Sequence, residues 1–140
     1  RPQPLLGGVT SGKGTCGSGA PSSDITILLA GFSARPQDGA VVHVHASATV
    51  AVAALPHDRG LGRISPEGLR RTGPVAIFHA AGDAFSAAAG ARVLVAPWHG
   101  VYAAGEDPLD ALCAIETVES ACRVLLSIQA ALAASRGIPP

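Results

Sequence analysis

The run Val41-Val42-His43-Val44-His45 constrains this chain more than any other stretch. It is apolar and β-branched apart from two histidines, and it reads as a strand within about Ala40 to His45. Successive strand residues face opposite ways, so residues two apart share a face. His43 and His45 then project together, while Val42 and Val44 project into the opposite layer. Two imidazoles converging from one strand are half of a metal site. Read alone, the pair fits equally well as ordinary partly buried histidines, so the reading turns on what else the chain brings to them.

The totals bound the answer. A chain of 140 residues fits one domain with a core of useful size. Hydrophobic residues make up 48% and charged residues 14%, with a mean hydropathy of +0.36. That balance excludes a disordered chain and implies apolar surface in a core or at a subunit interface. No apolar run is long enough to cross a bilayer. The formal net charge is zero, so nothing draws the chain to nucleic acid or to an anionic membrane. Cys16, Cys113 and Cys122 are an odd, sparse set without a signal peptide, which reads as reduced, intracellular and cytoplasmic. Cys113 and Cys122 lie in one apolar periodic stretch and are expected in the core. The sequence opens on Arg1, as a processed or partial chain would.

Residues 1–20 form a Gly-rich segment ahead of a single domain over 21–140. Two nucleotide-loop patterns occur in that segment, Gly7 to Lys13 and Gly12-Gly14-Gly17. The first lacks the hydroxyl residue after Lys13, and Gly17, Ser18, Gly19 and Pro21 interrupt the helix that either pattern requires. The segment reads as loop, or at most one weak hairpin. Ser22, Ser23 and Asp24 then suit a helix start, as caps and dipole complements, and Ile25, Leu28, Leu29 and Phe32 give one helical face. Arg35 to Gly39 is turn chemistry. After the histidine strand, 47–55 suits a helix, 56–74 a long loop with one helical turn near 66–71, and 75–78 a strand. A short helix is expected over 83–89 and strands over 92–96 and 101–104. Asp107 caps a final helix, Pro108 opens it, and Gly137 with Pro139 and Pro140 ends it. Its core stripe is Ile115, Val118, Cys122 and Leu125, with Glu119 and Arg123 spaced as an i, i+4 pair.

Three more histidines are available. His99 sits at a strand-to-strand turn beside Gly100, where it can reach a neighbouring strand end. His79 ends a strand and is the competing third ligand, whereas His57 lies in a polar loop. Three histidines with a fourth position open are the arrangement of catalytic rather than structural zinc. Asp24 is the leading carboxylate, either a helix-start acid or a general base beside a metal-bound carbonyl. Ser22 and Ser23 offer hydroxyls and backbone N–H groups at the same helix start, as caps or as an anion site.

Pro21-Ser22-Ser23-Asp24, the following helix, Arg35-Pro36 and Ala40 to Ala46 together resemble the class II sugar aldolase and adducin-head family. So do Val93 to Val101, which carry the His99-Gly100 turn, and Asp107 to Leu112 with Glu116, Glu119 and Ala121. The likeness covers about residues 20–134, and its specificity lies in the order and spacing of these pieces. It implies an α/β fold of three layers, α/β/α, with a mainly antiparallel central sheet. It implies a metal held by His43, His45 and His99, zinc with manganese or iron(II) as alternatives. It implies Asp24 as catalytic acid/base, and Ser22 and Ser23 as the substrate and phosphate contacts.

The activity implied is metal-dependent aldolase-type cleavage of a carbon–carbon bond in a small phosphorylated ketose, through a metal-stabilised enediolate. The partner is that sugar or a related hydroxy-carbonyl compound, and the assembly implied is a homo-oligomer, a tetramer. Two alternatives stand beside it. Family aldolases usually carry Glu where this chain has Asp24, and the family's sugar-phosphate 4-epimerases carry Asp. A shortened, non-catalytic binding or assembly module is the other, with adducin heads as its precedent. Departures from the family pattern bear on this choice. The longer N-terminal part of the family domain, with an Asn and a Thr-Gly that complete the phosphate pocket, has no counterpart. Tyr102, the only tyrosine, does not match the tyrosine that family members bring from a neighbouring subunit.

Overall fold

A computed structural model of the chain describes residues 8–9, 15–16, 22–56, 61, 64, 70 and 72–137. The two nucleotide-like motifs lie outside the described residues except for 8–9 and 15–16, as does His57, and so does the turn expected over 66–71 apart from Arg70. Within the Gly-rich segment, β1 (Gly8–Val9) pairs antiparallel with β2 (Thr15–Cys16), a minimal hairpin.

The four-stranded sheet has the order β3 (Ala40–Val44), β6 (Gly100–Gly105), β5 (Val93–Ala96), β4 (Val75–Ile77). The β3–β6 and β6–β5 pairs are antiparallel, and the β5–β4 pair at the edge is parallel. The sheet is therefore mixed, antiparallel in two of its three pairings. Helices cover both faces and make three layers. On one face α2 (Ser47–Ala53) and α4 (Pro108–Ser135) pack on Val93, Val95, Val101 and Ala103. On the other, α1 (Ile25–Ala34) and α3 (Ala84–Gly90) pack on Leu94 and Tyr102.

The division follows from strand periodicity. Val42 and Val44 pack with the α2–α4 core, so Val41 and His43 are left for the α1 side. Two of the limits that differ from the sequence reading bear on the histidines. The strand ends at Val44, because α2 begins at Ser47 and His45 already belongs to the two-residue link. Gly100 joins the following strand, paired with Ala96 across the turn.

α4 runs 28 residues, about 42 Å at 1.5 Å per residue. The Asp107 carboxylate accepts the Asp110 N–H at 2.8 Å, Pro108 stands in the first turn, and Gly137 takes a φ of +68 just beyond the end. Ile115, Val118 and Cys122 are buried and Leu125 packs beside them. Cys113 is exposed, contrary to the core position expected. It lies five residues before Val118, half a turn away from the buried stripe. Arg92 ties the sheet to the start of α4. Its guanidinium donates to the Ala104 carbonyl at 2.7 Å and to the Asp110 carbonyl at 3.0 Å, and it pairs with the Asp110 carboxylate.

Glu119 forms the expected ion pair with Arg123 at 3.1 Å, but its main contacts lie elsewhere. Its carboxylate accepts the N–H of Ala48, the N–H of Thr49 and the Thr49 hydroxyl at 2.8–3.1 Å. The first turn of α2 thus receives its cap from another helix. No helix among the described residues is long and apolar enough to cross a membrane.

Candidate metal centre

Strand order brings the histidines together. β3 and β6 are antiparallel neighbours, so the end of β3 lies beside the start of β6. His43 and His45 leave the end of β3, and His99 stands in the turn that opens β6. One ring nitrogen from each falls within 4.8 Å of the others, a set able to hold a metal ion. The ring centroids are 5.0–5.5 Å apart. His79 does not join them, because β4 stands at the opposite edge of the sheet from β3.

The turn that presents His99 is tight. The His99 N–H donates to the Ala96 carbonyl at 3.1 Å, with Pro97 at the first central position and Trp98 at the second, where φ is +65. That is the outline of a type II turn, whose second central position favours Gly or Asn. Trp98 occupies it with its side chain 85% exposed. Gly100 is needed for space. A Cβ there would lie 2.4 Å from His43 Cε1, 3.0 Å from the Val44 oxygen and 3.1 Å from His45 Cδ2.

Asp24 closes the group. It stands where α1 begins but makes no side-chain cap bond, so the capping role expected of it is not the one observed. Its own N–H donates to the Ser22 hydroxyl at 3.2 Å. The carboxylate turns to the histidines instead, with Oδ2 at 3.3 Å from both His43 Nε2 and His99 Nε2. Ser22 and Ser23 are exposed on the same helix start.

The proton inventory at His43 is informative. Burial holds its pKa below the ordinary value, outweighing the raising effects of the Val101 carbonyl and Asp24, and His45 and His99 add to the lowering. The ring is then neutral at neutral pH and carries one proton. Nδ1 lies 3.1 Å from the Val101 carbonyl oxygen, which can only accept, so the proton sits on Nδ1. The Nε2 lone pair therefore faces the Asp24 carboxylate with no proton between them. A divalent cation relieves that contact. The ring nitrogens of His43, His45 and His99, all within 4.8 Å of one another, are the set that would hold it. The Nδ1–carbonyl bond is the outer contact that orients a metal-bound imidazole. The donor set fits a divalent metal ion on these grounds.

Tyr102 belongs to the group although no motif marked it. It is the cross-strand partner of His43, and its ring stacks on that imidazole with centroids 4.2 Å apart and planes 16° apart. The signal was register: pairing the end of 40–45 with the start of the strand after His99 sets these two residues opposite.

The fold is an α/β protein with a mixed sheet between helix layers, with three histidines able to hold a metal ion and a carboxylate gathered at one end. Residues 5–126 match the family model of the class II aldolase and adducin N-terminal domain, and the chain belongs to that family. Similar solved structures share its fold. YgbL from Escherichia coli, described as a putative aldolase/epimerase/decarboxylase, is 21% identical with a TM-score of 0.67, over 82% of this chain and 61% of that one. A sugar-phosphate aldolase from Thermotoga maritima is 22% identical with a TM-score of 0.65, over 89% and 59%. L-fuculose-1-phosphate aldolase from Thermus thermophilus is 22% identical with a TM-score of 0.54, over 77% and 62%. The chain spans about three fifths of the length of these relatives. A search of curated proteins found no match.

Proposed function

We propose that this protein is a metal-dependent aldolase-type lyase acting on a small phosphorylated ketose, with zinc held by His43, His45 and His99. One observation carries the reading: Asp24 Oδ2 lies 3.3 Å from two of the three histidine nitrogens, one of them a bare lone pair. The cation, when bound, supplies Lewis acidity to a ketose carbonyl. Asp24 Oδ2 takes the hydroxyl proton from the carbon that becomes the aldehyde, as the adjacent carbon–carbon bond breaks, and later returns a proton to the carbon left behind. Ser22 and Ser23, with the backbone N–H groups opening α1, bind the phosphate and set the depth of the sugar. Sugar-phosphate 4-epimerisation is the second reading. It uses the same cleavage, and Asp24 in its Ser-Ser-Asp setting favours it.

We also propose a cytoplasmic homo-oligomer, a tetramer by family likeness. The apolar ridge Val124, Ile128 and Leu132, 59%, 52% and 49% exposed along the free half of α4, supports burial against another surface. The free thiols of Cys113 and Cys122 suit a reducing compartment.

The test is metal analysis of the purified protein, followed by assay of the zinc-loaded form against phosphorylated ketoses. Release of a free aldehyde marks lyase activity, and an isomer of unchanged mass marks epimerase activity. His43→Ala is expected to lose both metal and turnover. A protein that takes up no divalent cation, or a His43→Ala variant with full zinc content, defeats the proposal.

A further inference from the structure

Tyr102 carries an anomaly that the proposed function does not use. Its side chain is 1% exposed, and its hydroxyl is the buried side-chain polar atom without a hydrogen-bond partner among the described residues. A buried unpaired hydroxyl costs about 1–3 kcal/mol. Phenylalanine would give the same stack on His43 and the same contact with Phe78, whose ring lies 6.0 Å away, without that cost. The hydroxyl therefore needs an acceptor.

The charged group that it faces is Asp24. Asp24 is near enough for its charge and a weak hydrogen-bonding contact to act on the phenol, yet the hydroxyl has no hydrogen bond of good geometry in this structure. Asp24 Oδ2 now lies at hydrogen-bonding reach of His99 Nε2. A cation held by the histidine ring nitrogens occupies their lone pairs, so neither His43 Nε2 nor His99 Nε2 can then donate to Asp24, and the carboxylate gains from another donor. The phenol lies behind His43, on the strand that carries the site, and is the buried donor placed to replace it.

We propose that Tyr102 is a positioning residue: with a divalent cation held by the three histidines, its hydroxyl donates to the Asp24 carboxylate and fixes that group beside the cation. The inference rests on the metal reading above. It makes the hydroxyl worth more to the loaded protein than to the stripped one, which would not hold for an ordinary structural tyrosine.

The test measures zinc affinity by titration calorimetry, and thermal stability after chelator treatment, for wild type, Tyr102→Phe, Asp24→Ala and the double variant. Tyr102→Phe is expected to bind zinc about 10–100-fold more weakly. After metal removal it is expected to melt no lower than wild type. In the Asp24→Ala background the same change is expected to alter affinity by no more than about twofold, because the two residues act as one unit. Equal zinc affinity of Tyr102→Phe and wild type overturns this inference and leaves the metal reading standing. A lower melting temperature for stripped Tyr102→Phe shows a structural role and also overturns it, as does a full loss in the Asp24→Ala background. Failure of wild type to bind zinc defeats the metal reading and this inference together.

Discussion

Replacing Gly100 by alanine tests how the site is built. The added Cβ would sit 2.4 Å from His43 Cε1, where carbon–carbon contacts settle at about 3.5 Å or more. Something must therefore yield by about 1 Å. The Cβ cannot retreat toward β3, because the Val44 oxygen is 3.0 Å away. His43 cannot retreat freely either, held by the Val101 carbonyl on Nδ1 and by the Tyr102 ring. Overpacking of this kind costs about 1–3 kcal/mol, or roughly 4–12 °C in Tm for a chain of this size. Metal binding should suffer more than stability. Coordination tolerates about 0.2 Å of error, so a 1 Å shift of one ligand should exceed the about 10–100-fold loss typical of an outer contact. Gly90, where a Cβ would meet nothing, supplies the control, and Gly90→Ala should stay within about 0.5 kcal/mol. Thermal melts and zinc titrations of both variants decide the matter. Wild-type zinc affinity in Gly100→Ala would refute the claim that this glycine sets the position of His43.

Two further substitutions probe the supports. Glu119 is pushed up by burial, but hydrogen bonds from Thr49, Ala48 and Arg123 outweigh this and leave its pKa lowered from 4.5. Its charge therefore stabilises the fold above the unfolded value, and that contribution fades as pH falls through the lower folded value. Glu119→Gln should cost about 1–2 kcal/mol at neutral pH, with the gap to wild type closing below pH 4.5 in melts across a pH series. A gap that persists unchanged in acid would mean that packing, not charge, holds α2. Trp98→Gly should remove the left-handed penalty, about 1–2 kcal/mol, at the expense of glycine's extra chain entropy, a net gain of about 0.5–1 kcal/mol. A lower Tm would show that the indole makes a stabilising contact in the assembled protein.

The three histidines that come together were legible because they obey local rules. Period two put His43 and His45 on one side, and a two-stranded turn put His99 at a strand end. The choice between His99 and His79 was not a local matter. It depends on β6 lying between β3 and β5, and strand order is a long-range property that no spacing encodes. The same limit explains the misread supports. Glu119 has a helical neighbour at the right spacing, so its pairing with Arg123 is visible. Its bonds to Ala48 and Thr49 cross some seventy residues and exist only once α2 lies on α4. Asp24 shows the limit from the other side. Locally it is a good helix-start acid, and the helix does begin there, yet its carboxylate serves the histidines. The helix forgoes a cap worth about 1 kcal/mol, and Ser22 satisfies only one N–H nearby. A residue that gives up its local role for a distant contact is better evidence of function than one whose two roles coincide. On that ground Asp24, rather than the histidine pair itself, gives the proposed site at this end of the sheet its strongest support.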